Sequence, residues 1–145
     1  MSVTDVKSFT VEYEISIAAP REVVFDAMTS GIHEWFPHRV KAGSPITWER
    51  AIGGRSMEEW GEGQGALFAV NTVLKRPSVY SFTYPGGVFG HYVSMTTYRF
   101  EEENDGTRVK ISMYGMGDVS EEASEMFSKG FPPLMQDLAK YCENR

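Results

Sequence analysis

The last quarter of the chain carries one apolar stripe at helical spacing, and two adjacent prolines interrupt it. Ser120 is a favourable N-cap residue. The apolar positions that follow it are Ala123, Met126, Phe127, Phe131, Leu134, Leu138 and Tyr141. Their spacing keeps one helical face on both sides of Pro132 and Pro133, and a helix that began afresh at the prolines would have no reason to keep that phase. The pattern therefore predicts one long helix, kinked near residues 130–133, whose apolar face must be buried to offset the prolines.

The first predicted element is a strand with one apolar face. Within "SFTVEYEISI" the side chains that alternate toward one side are Phe9, Val11, Tyr13, Ile15 and Ile17. The next stretch, "AAPREVVFDAMTS", has Pro20 at a position typical of a first helical turn and an apolar stripe after it. Gly31 ends this helix, and "IHEWF" predicts a second short helix that stops before Pro37.

The middle of the chain is rich in strand and turn signals. Gly53-Gly54, the run "GEGQG" and the loop "PGGVFG" separate short apolar segments that are typical of strands. Asn104-Asp105-Gly106 predicts a tight hairpin because Asp-Gly tolerates positive φ angles. The order is then a strand, two short helices, about six antiparallel strands and a long helix. We expect one α+β domain over residues 1–145, in which a curved antiparallel sheet wraps around the C-terminal helix.

Composition restricts the partners of the chain. The 145 residues carry a net charge of -6 at pH 7, so we expect neither a basic surface for nucleic acid nor a polybasic membrane patch. No apolar run reaches the roughly 20 residues that span a bilayer. The N-terminal "MSVTDVKSF" lacks the apolar segment of a signal peptide, so we expect a cytoplasmic protein. The single cysteine, Cys142, excludes an intrachain disulfide.

The histidines have the wrong spacing for a metal site. "HEWFPH" is similar to a zinc-protease HExxH motif, but His33 and His38 are five residues apart and Pro37 interrupts the helix. We expect both to be exposed or capping residues, and His91 to lie on the surface near "PGGVFG". "GEGQG" lacks the full GxGxxG pattern and a following helix, so we interpret it as a turn and not as a phosphate site. We expect no metal site and no cofactor.

Cys142, Glu58 and Glu59 are the remaining candidates for reactive groups. Cys142 has no evident His or Asn partner pattern, so we interpret it as a packing residue. Neighbours on a strand face opposite ways, so one of Glu58 and Glu59 could point inward. We nevertheless expect both glutamates on the surface, and the sequence indicates no catalytic residue.

The aromatic side chains form the strongest signal for a binding site. The candidate ligand-binding residues are Trp35, Phe36, Trp60, Phe68, Tyr80, Phe82, Tyr84, Tyr98, Met113, Phe127 and Phe131. These side chains could line one apolar space, with Met126 beside them, or they could fill it as a close-packed core. The tyrosines slightly favour a binding site, because a buried hydroxyl needs a partner that a ligand can supply. The eight methionines suit an adaptable wall.

Four stretches carry a resemblance to a known family. They are "ISIAAPREVVFDAMTS", "EWF" with Trp35 and Phe36, the Gly-Gly of "IGGR", and "KGFPPLMQDLAKY". With these four stretches in this order, the chain resembles the activator-of-Hsp90-ATPase-like family of the START-like (Bet v 1-like, SRPBCC) superfamily. In the last stretch Phe131 stands where the family usually has Trp. The resemblance spans nearly the whole chain and implies the helix-grip fold.

The resemblance also implies a function, namely binding of an apolar or aromatic small molecule in a cavity under the long helix. We expect a non-catalytic binding protein in which Tyr80, Tyr84 or Tyr98 orients the ligand by a hydrogen bond. Two alternatives stay open: a cyclase- or hydrolase-type enzyme that uses the same cavity, and a stress- or chaperone-associated module that binds a protein partner. Hsp90 is not expected as that partner, because the N-terminal half of the eukaryotic co-chaperone has no counterpart in this sequence. A homodimer also stays open, because START-like domains often expose strand edges.

Overall fold

The order of helices and strands is the one that the sequence predicts. The computed structural model of the protein describes residues 6–119 and 121–145, and in the last helix it describes side chains at 125 and from 127 onward. The elements are β1 (Lys7–Ile17), α1 (Arg21–Met28), α2 (Ile32–Trp35), β2 (Ile46–Trp48), β3 (Arg55–Gly61), β4 (Gln64–Lys75), β5 (Val79–Tyr84), β6 (Tyr92–Glu103), β7 (Gly106–Gly117) and α3 (Glu121–Glu143). The predicted α+β class and helix-grip architecture are confirmed.

Seven strands form one antiparallel sheet in the order β1-β7-β6-β5-β4-β3-β2. The first strand pairs with the last along its whole length. Because alternate residues face opposite sides of a strand, each strand has an inward face toward the helices and an outer face toward solvent. The predicted inward face of β1 is confirmed, since Val11 and Ile17 are buried while Glu12 and Glu14 are exposed.

Two tight turns close hairpins of the sheet. Asn104 and Asp105 connect β6 to β7 with φ angles of 43° and 71°. Glu62 and Gly63 connect β3 to β4 with φ angles of 56° and 76°. Positive φ at both central residues is typical of a two-residue hairpin turn. The predicted hairpin at 104–106 and the interpretation of "GEGQG" as a turn are both confirmed.

The buried core lies between α1, the inward face of the sheet and the C-terminal half of α3. Phe100 of β6 and Met135 and Leu138 of α3 are among its largest fully buried side chains. Upstream on α3, Phe127 and Phe131 are only half-buried. α3 packs on β1 and against α1 and α2. The C-terminal half of α3 is therefore anchored in the core.

The final helix continues through Pro132 and Pro133. The prediction of one long helix is confirmed, and the predicted N-cap residue, Ser120, lies outside the described residues. Pro133 is exposed and Pro132 is half-buried. The fully buried side chains that follow them supply the tertiary burial that a helix with internal prolines requires. No helix in the part of the chain that the structure describes is long and apolar enough to cross a membrane.

Candidate functional site

Inward residues of four adjacent strands form a continuous surface on the helix side of the sheet, which we call the floor. Strand register aligns them in three rows across β5, β6, β7 and β1. The rows are Tyr84–Ser94–Gly115–Phe9, Phe82–Thr96–Met113–Val11 and Tyr80–Tyr98–Ile111–Tyr13. The floor therefore brings five of the predicted ligand-binding residues together: Tyr80, Phe82, Tyr84, Tyr98 and Met113.

Phe82 lies near the middle of the sheet's inward face and is nevertheless only half-buried. Its ring centroid is 5.2 Å from that of Tyr80 and 6.0 Å from that of Tyr98. Its neighbours across the strands, Asn71 and Thr96, are 1% and 3% exposed. Solvent therefore reaches the Phe82 ring from the helix side of the floor and not through the sheet.

The hydroxyls of Tyr80 and Tyr84 are engaged with the protein itself. The Tyr80 hydroxyl accepts a hydrogen bond from Trp48 Nε1 at 3.2 Å and donates one to Asn71 Oδ1 at 3.0 Å. Burial raises the pKa of Tyr80 to about 12, so the hydroxyl stays protonated at neutral pH. The Tyr84 hydroxyl accepts from the Phe89 N–H at 2.7 Å and donates to a carbonyl of the same loop at 3.2 Å. The hydroxyls of both tyrosines therefore stabilise the fold in the absence of a ligand.

Tyr98 differs from the other two floor tyrosines. Its side chain is 3% exposed, and its hydroxyl forms no hydrogen bond with any residue that the structure describes. Burial raises the pKa of Tyr98, and the nearby Tyr80 hydroxyl raises it further. Of the three tyrosines expected to orient a ligand, Tyr98 is the one whose hydroxyl is still free to do so.

The N-terminal half of α3 places aromatic rings above one end of the floor. Phe127 stacks on Phe9 with 5.2 Å between ring centroids, and it meets Tyr92 edge-on at 5.3 Å. One helical turn later, Phe131 contacts both the main core and the smaller buried cluster around Tyr92. Phe127 and Phe131 are half-buried, so they form a wall with apolar area still open to a ligand.

Trp35 and Phe36 lie at the end of α2, beside the main core. Trp35 Nε1 donates to the Ala27 carbonyl at 2.7 Å, and its indole ring packs against the core. Phe36 meets the Trp35 ring edge-on at 5.8 Å. The hydrogen bond fixes the indole to α1, so Trp35 couples the two short helices and leaves one half-exposed ring face.

Trp60 and Phe68 lie apart from both buried clusters. Trp60 Nε1 donates to Glu58 Oε1 at 3.2 Å on the same strand. Phe68 stacks on Phe89, a residue of the loop after β5, with 5.3 Å between centroids. Both rings are half-buried, and each contacts a neighbour that is not part of the floor.

The expectation that both glutamates of β3 lie on the surface is wrong for Glu58, which is fully buried, and correct for Glu59, which is exposed. The Glu58 carboxylate accepts the backbone N–H groups of Val40 at 2.8 Å and Lys41 at 2.7 Å, in addition to the Trp60 indole. Burial alone would raise the pKa of Glu58, but these donors outweigh it and hold the pKa below its ordinary value of 4.5. Glu58 therefore anchors the loop between α2 and β2.

The other candidates for reactive chemistry lie where the sequence predicts. His33, His38 and His91 are exposed. Cys142 is buried, and burial raises the pKa of its thiol to about 11. No group of three or more metal-binding side chains occurs among the residues that the structure describes.

Two shallow concavities lie on the sheet. One, of about 470 Å³, is on β1, β6 and β7 and is lined by Glu12, Arg99 and Lys110 together with Tyr13 and Ile111. The other, of about 510 Å³, is at the β3–β4 hairpin and includes Glu62 and Gly63. Tyr13 is the one aromatic residue in these two linings. The arrangement with the most aromatic contact area is therefore the floor together with the rings of α3.

Comparison with known proteins places the chain in a family. The model of the family described as "activator of Hsp90 ATPase homolog 1-like protein" matches residues 18–143. The chain belongs to this family. The matched range runs from just after β1 to the end of α3, so it contains the floor residues of β5, β6 and β7 and both aromatic rings of the helix. No curated protein sequence matches the chain significantly.

Solved structures with the same fold include several proteins of low sequence identity. An uncharacterised protein from Rhizobium leguminosarum shares 18% identity over 99% of this chain and 100% of that chain, with a TM-score of 0.79. Ara h 8.0201 shares 14% identity over 96% and 100% of the two chains, with a TM-score of 0.72. The Aha1 dimer from Colwellia psychrerythraea shares 15% identity over 93% and 96%, with a TM-score of 0.70. These similarities confirm the Bet v 1-like fold.

Proposed function

We propose that the chain, acting as one domain over residues 1–145, binds an apolar or aromatic small molecule between the floor and α3. The observation that carries the proposal is that Phe82 is only half-buried although it lies in the middle of a buried surface. A ring surrounded by residues such as Asn71 and Thr96 can meet solvent only through space on the helix side. Apolar surface left open inside a fold favours an apolar ligand.

The two halves of α3 support this proposal in different ways. Met135 and Leu138 anchor the C-terminal half in the core, and they keep the helix in place whether or not a ligand is bound. The rings of Phe127 and Phe131 are half-buried on the floor side of the helix. They gain contact area with a ligand that binds there. Trp35 and Phe36, which lie beside the main core, remain in the proposed site, whereas Trp60 and Phe68 lie apart from both buried clusters.

An enzyme that uses the same space is less well supported. General acid–base catalysis requires a polar pair at hydrogen-bonding distance near the ligand. Glu59 and His91 are exposed, and the carboxylate of Glu58 is already engaged by loop N–H groups. The floor offers hydroxyls for positioning a ligand, and the proposal is therefore a non-catalytic one.

The proposal is tested by titration with the neutral fluorescent probe N-phenyl-1-naphthylamine. Ser94→Phe places a large ring on the floor in the proposed space, and Thr10→Phe adds the same ring on the exposed outer face of β1. We expect probe fluorescence to rise with the wild-type protein and with Thr10→Phe, and to stay at its value in buffer with Ser94→Phe. Equal binding to all three proteins would place the probe elsewhere and defeat the proposal.

A second candidate function is self-association through the outer face of the sheet. Four large apolar side chains stand together there as two cross-strand pairs, Val93 with Met116 and Met95 with Tyr114. Their exposed fractions are 47%, 55%, 47% and 47%, respectively, and we call them the outer patch. Exposed apolar patches often mark protein interfaces. The similar fold from Colwellia psychrerythraea was solved as a dimer, and this supports a second copy of the chain as the partner.

A further inference from the structure

Three consecutive inward positions of β6 carry hydroxyl groups. Ser94, Thr96 and Tyr98 alternate along the strand, so all three side chains face the helix side of the sheet. They are 7%, 3% and 3% exposed. One inner strand of the floor therefore carries three hydroxyl groups in line, which we call the hydroxyl row.

The hydroxyl row has no hydrogen-bond partner among the residues that the structure describes. Two other buried hydroxyls do have one. Thr107 Oγ1 donates to the Ala19 carbonyl at 2.7 Å, and Thr29 Oγ1 donates to the Phe25 carbonyl at 2.8 Å. Among the described residues, the fully buried side-chain atoms that lack a partner are Thr47 Oγ1 and Arg21 Nε. The oxygens of the hydroxyl row are not among them, so they keep contact with solvent and can exchange it for a ligand.

The side chains beside the hydroxyl row differ in length. Ser94 and Thr96 are small side chains, and they lie between the larger Tyr84 and Phe82 on β5 and Gly115 and Met113 on β7. Ser94 and Thr96 therefore form a low strip of the floor, which we call the channel, with longer aromatic side chains on one side.

Spacing and charge define what could occupy this channel. Residues two apart on a strand are separated by about 7 Å, so the hydroxyls of Ser94 and Thr96, which are both attached to Cβ, match polar groups at roughly that spacing. The three rows of the floor contain no charged side chain. A charged ligand would therefore lose its hydration without gaining a counter-ion. The flanking rings favour a flat aromatic body.

We infer that the ligand is a neutral, flat aromatic molecule with hydroxyl or carbonyl oxygens about 7 Å apart, held by Ser94, Thr96 and Tyr98. This inference rests on the proposed function and specifies the ligand class of the same site. The hydroxyls both donate and accept, so they suit either kind of oxygen.

The test is a competition experiment in which 2,6-dihydroxynaphthalene or naphthalene displaces bound N-phenyl-1-naphthylamine. The variants Ser94→Ala, Thr96→Val and Tyr98→Phe each remove one hydroxyl with little change of shape. Thr83→Val and Thr10→Val are matched controls on the outer face of the sheet. Thermal melting of each variant verifies that it is folded.

We expect each inward variant that loses a contacting hydroxyl to bind the diol about three- to tenfold more weakly, while naphthalene displaces the probe equally from all proteins. Both outer-face controls should match the wild type with both competitors. If the inward variants bind the diol as well as the wild type does, the hydroxyl row is not a recognition element, although the apolar site stands. If the wild-type protein does not bind the fluorescent probe at all, the proposed function fails and this inference fails with it.

Discussion

Glu58 is the residue whose environment departs furthest from expectation. A carboxylate on a strand next to another carboxylate is usually exposed. Here the register places Glu58 opposite Ile46, with the loop N–H groups of Val40 and Lys41 directed at its oxygens. The alternation of β3 indicates that one of the two glutamates faces inward. The choice between them depends on a loop conformation that local sequence does not encode.

The pH dependence of stability should reveal this carboxylate. Because the folded-state pKa of Glu58 lies below 4.5, its ionised form stabilises the fold at neutral pH, and that contribution is lost as the pH falls through the folded-state pKa. Glu58→Gln should lower the free energy of unfolding at pH 7 by about 1–3 kcal/mol, because an amide NH₂ would face backbone N–H donors. Urea unfolding at pH 7 and below pH 4.5 measures both effects. Glu59→Gln, at the exposed neighbouring position, should leave stability at pH 7 nearly unchanged.

Cys142 should be an unreactive thiol in the native protein. The thiolate is the nucleophile, and burial raises the pKa of this thiol to about 11. Ellman's reagent at pH 8 should therefore react slowly with the folded chain and rapidly in urea. Because the sequence has one cysteine, the absorbance change reports this residue alone. Rapid reaction without denaturant would contradict the buried position.

At the scale of the element, α3 shows what sequence periodicity alone can predict. A constant helical phase on both sides of Pro132 and Pro133 predicted one helix, and the structure confirms it. The strand alternation likewise predicted the inward face of β1, where Val11 and Ile17 are buried. Such patterns depend only on residues close together in sequence, so they can be recognised without knowledge of the fold. The pairing register of strands depends on residues that are distant in sequence. The sequence alone could therefore not show that Phe82 lies opposite Thr96, or that the hydroxyl row faces the helix side of the sheet.

Two glycines in different elements should respond oppositely to alanine. Gly130 is exposed inside α3, and a Cβ at this position would have no neighbouring atom within 4 Å. Gly130→Ala should therefore raise the free energy of unfolding by about 0.5–1 kcal/mol through helix propensity and reduced chain entropy. Gly65→Ala in β4 should destabilise the protein, because its Cβ would lie 2.3 Å from the Glu58 carbonyl oxygen. Thermal melting of the two variants beside the wild type distinguishes the effects.

At the scale of the whole molecule, the outer patch and the floor use opposite faces of one sheet. Along the same strands, the outer face changes from the apolar patch to a charged end where Lys110 pairs with Glu101 and Arg108 with Glu14. Two copies of a chain with a net charge of -6 repel each other, so an uncharged apolar area is the favourable place for them to meet. Self-association through this face leaves the proposed ligand space accessible.

Self-association should therefore respond to charge placed on the outer patch. The double variant Met95→Lys/Tyr114→Lys should shift the protein toward monomer in sedimentation velocity at concentrations where the wild type associates. The control Val40→Lys adds a lysine at a loop position that is also 47% exposed, and it should behave as the wild type does. A wild type that remains monomeric at millimolar concentration would refute the second candidate function and leave the ligand proposal intact.

The most direct test of the central claim is native mass spectrometry of the protein mixed with a small excess of N-phenyl-1-naphthylamine, compared with the same sample after denaturation. We predict a one-to-one adduct with the wild type that is lost on denaturation. The adduct should persist with Thr10→Phe and be absent with Ser94→Phe. A wild-type spectrum without an adduct, or an adduct equally abundant with Ser94→Phe, would contradict a ligand space between the floor and α3.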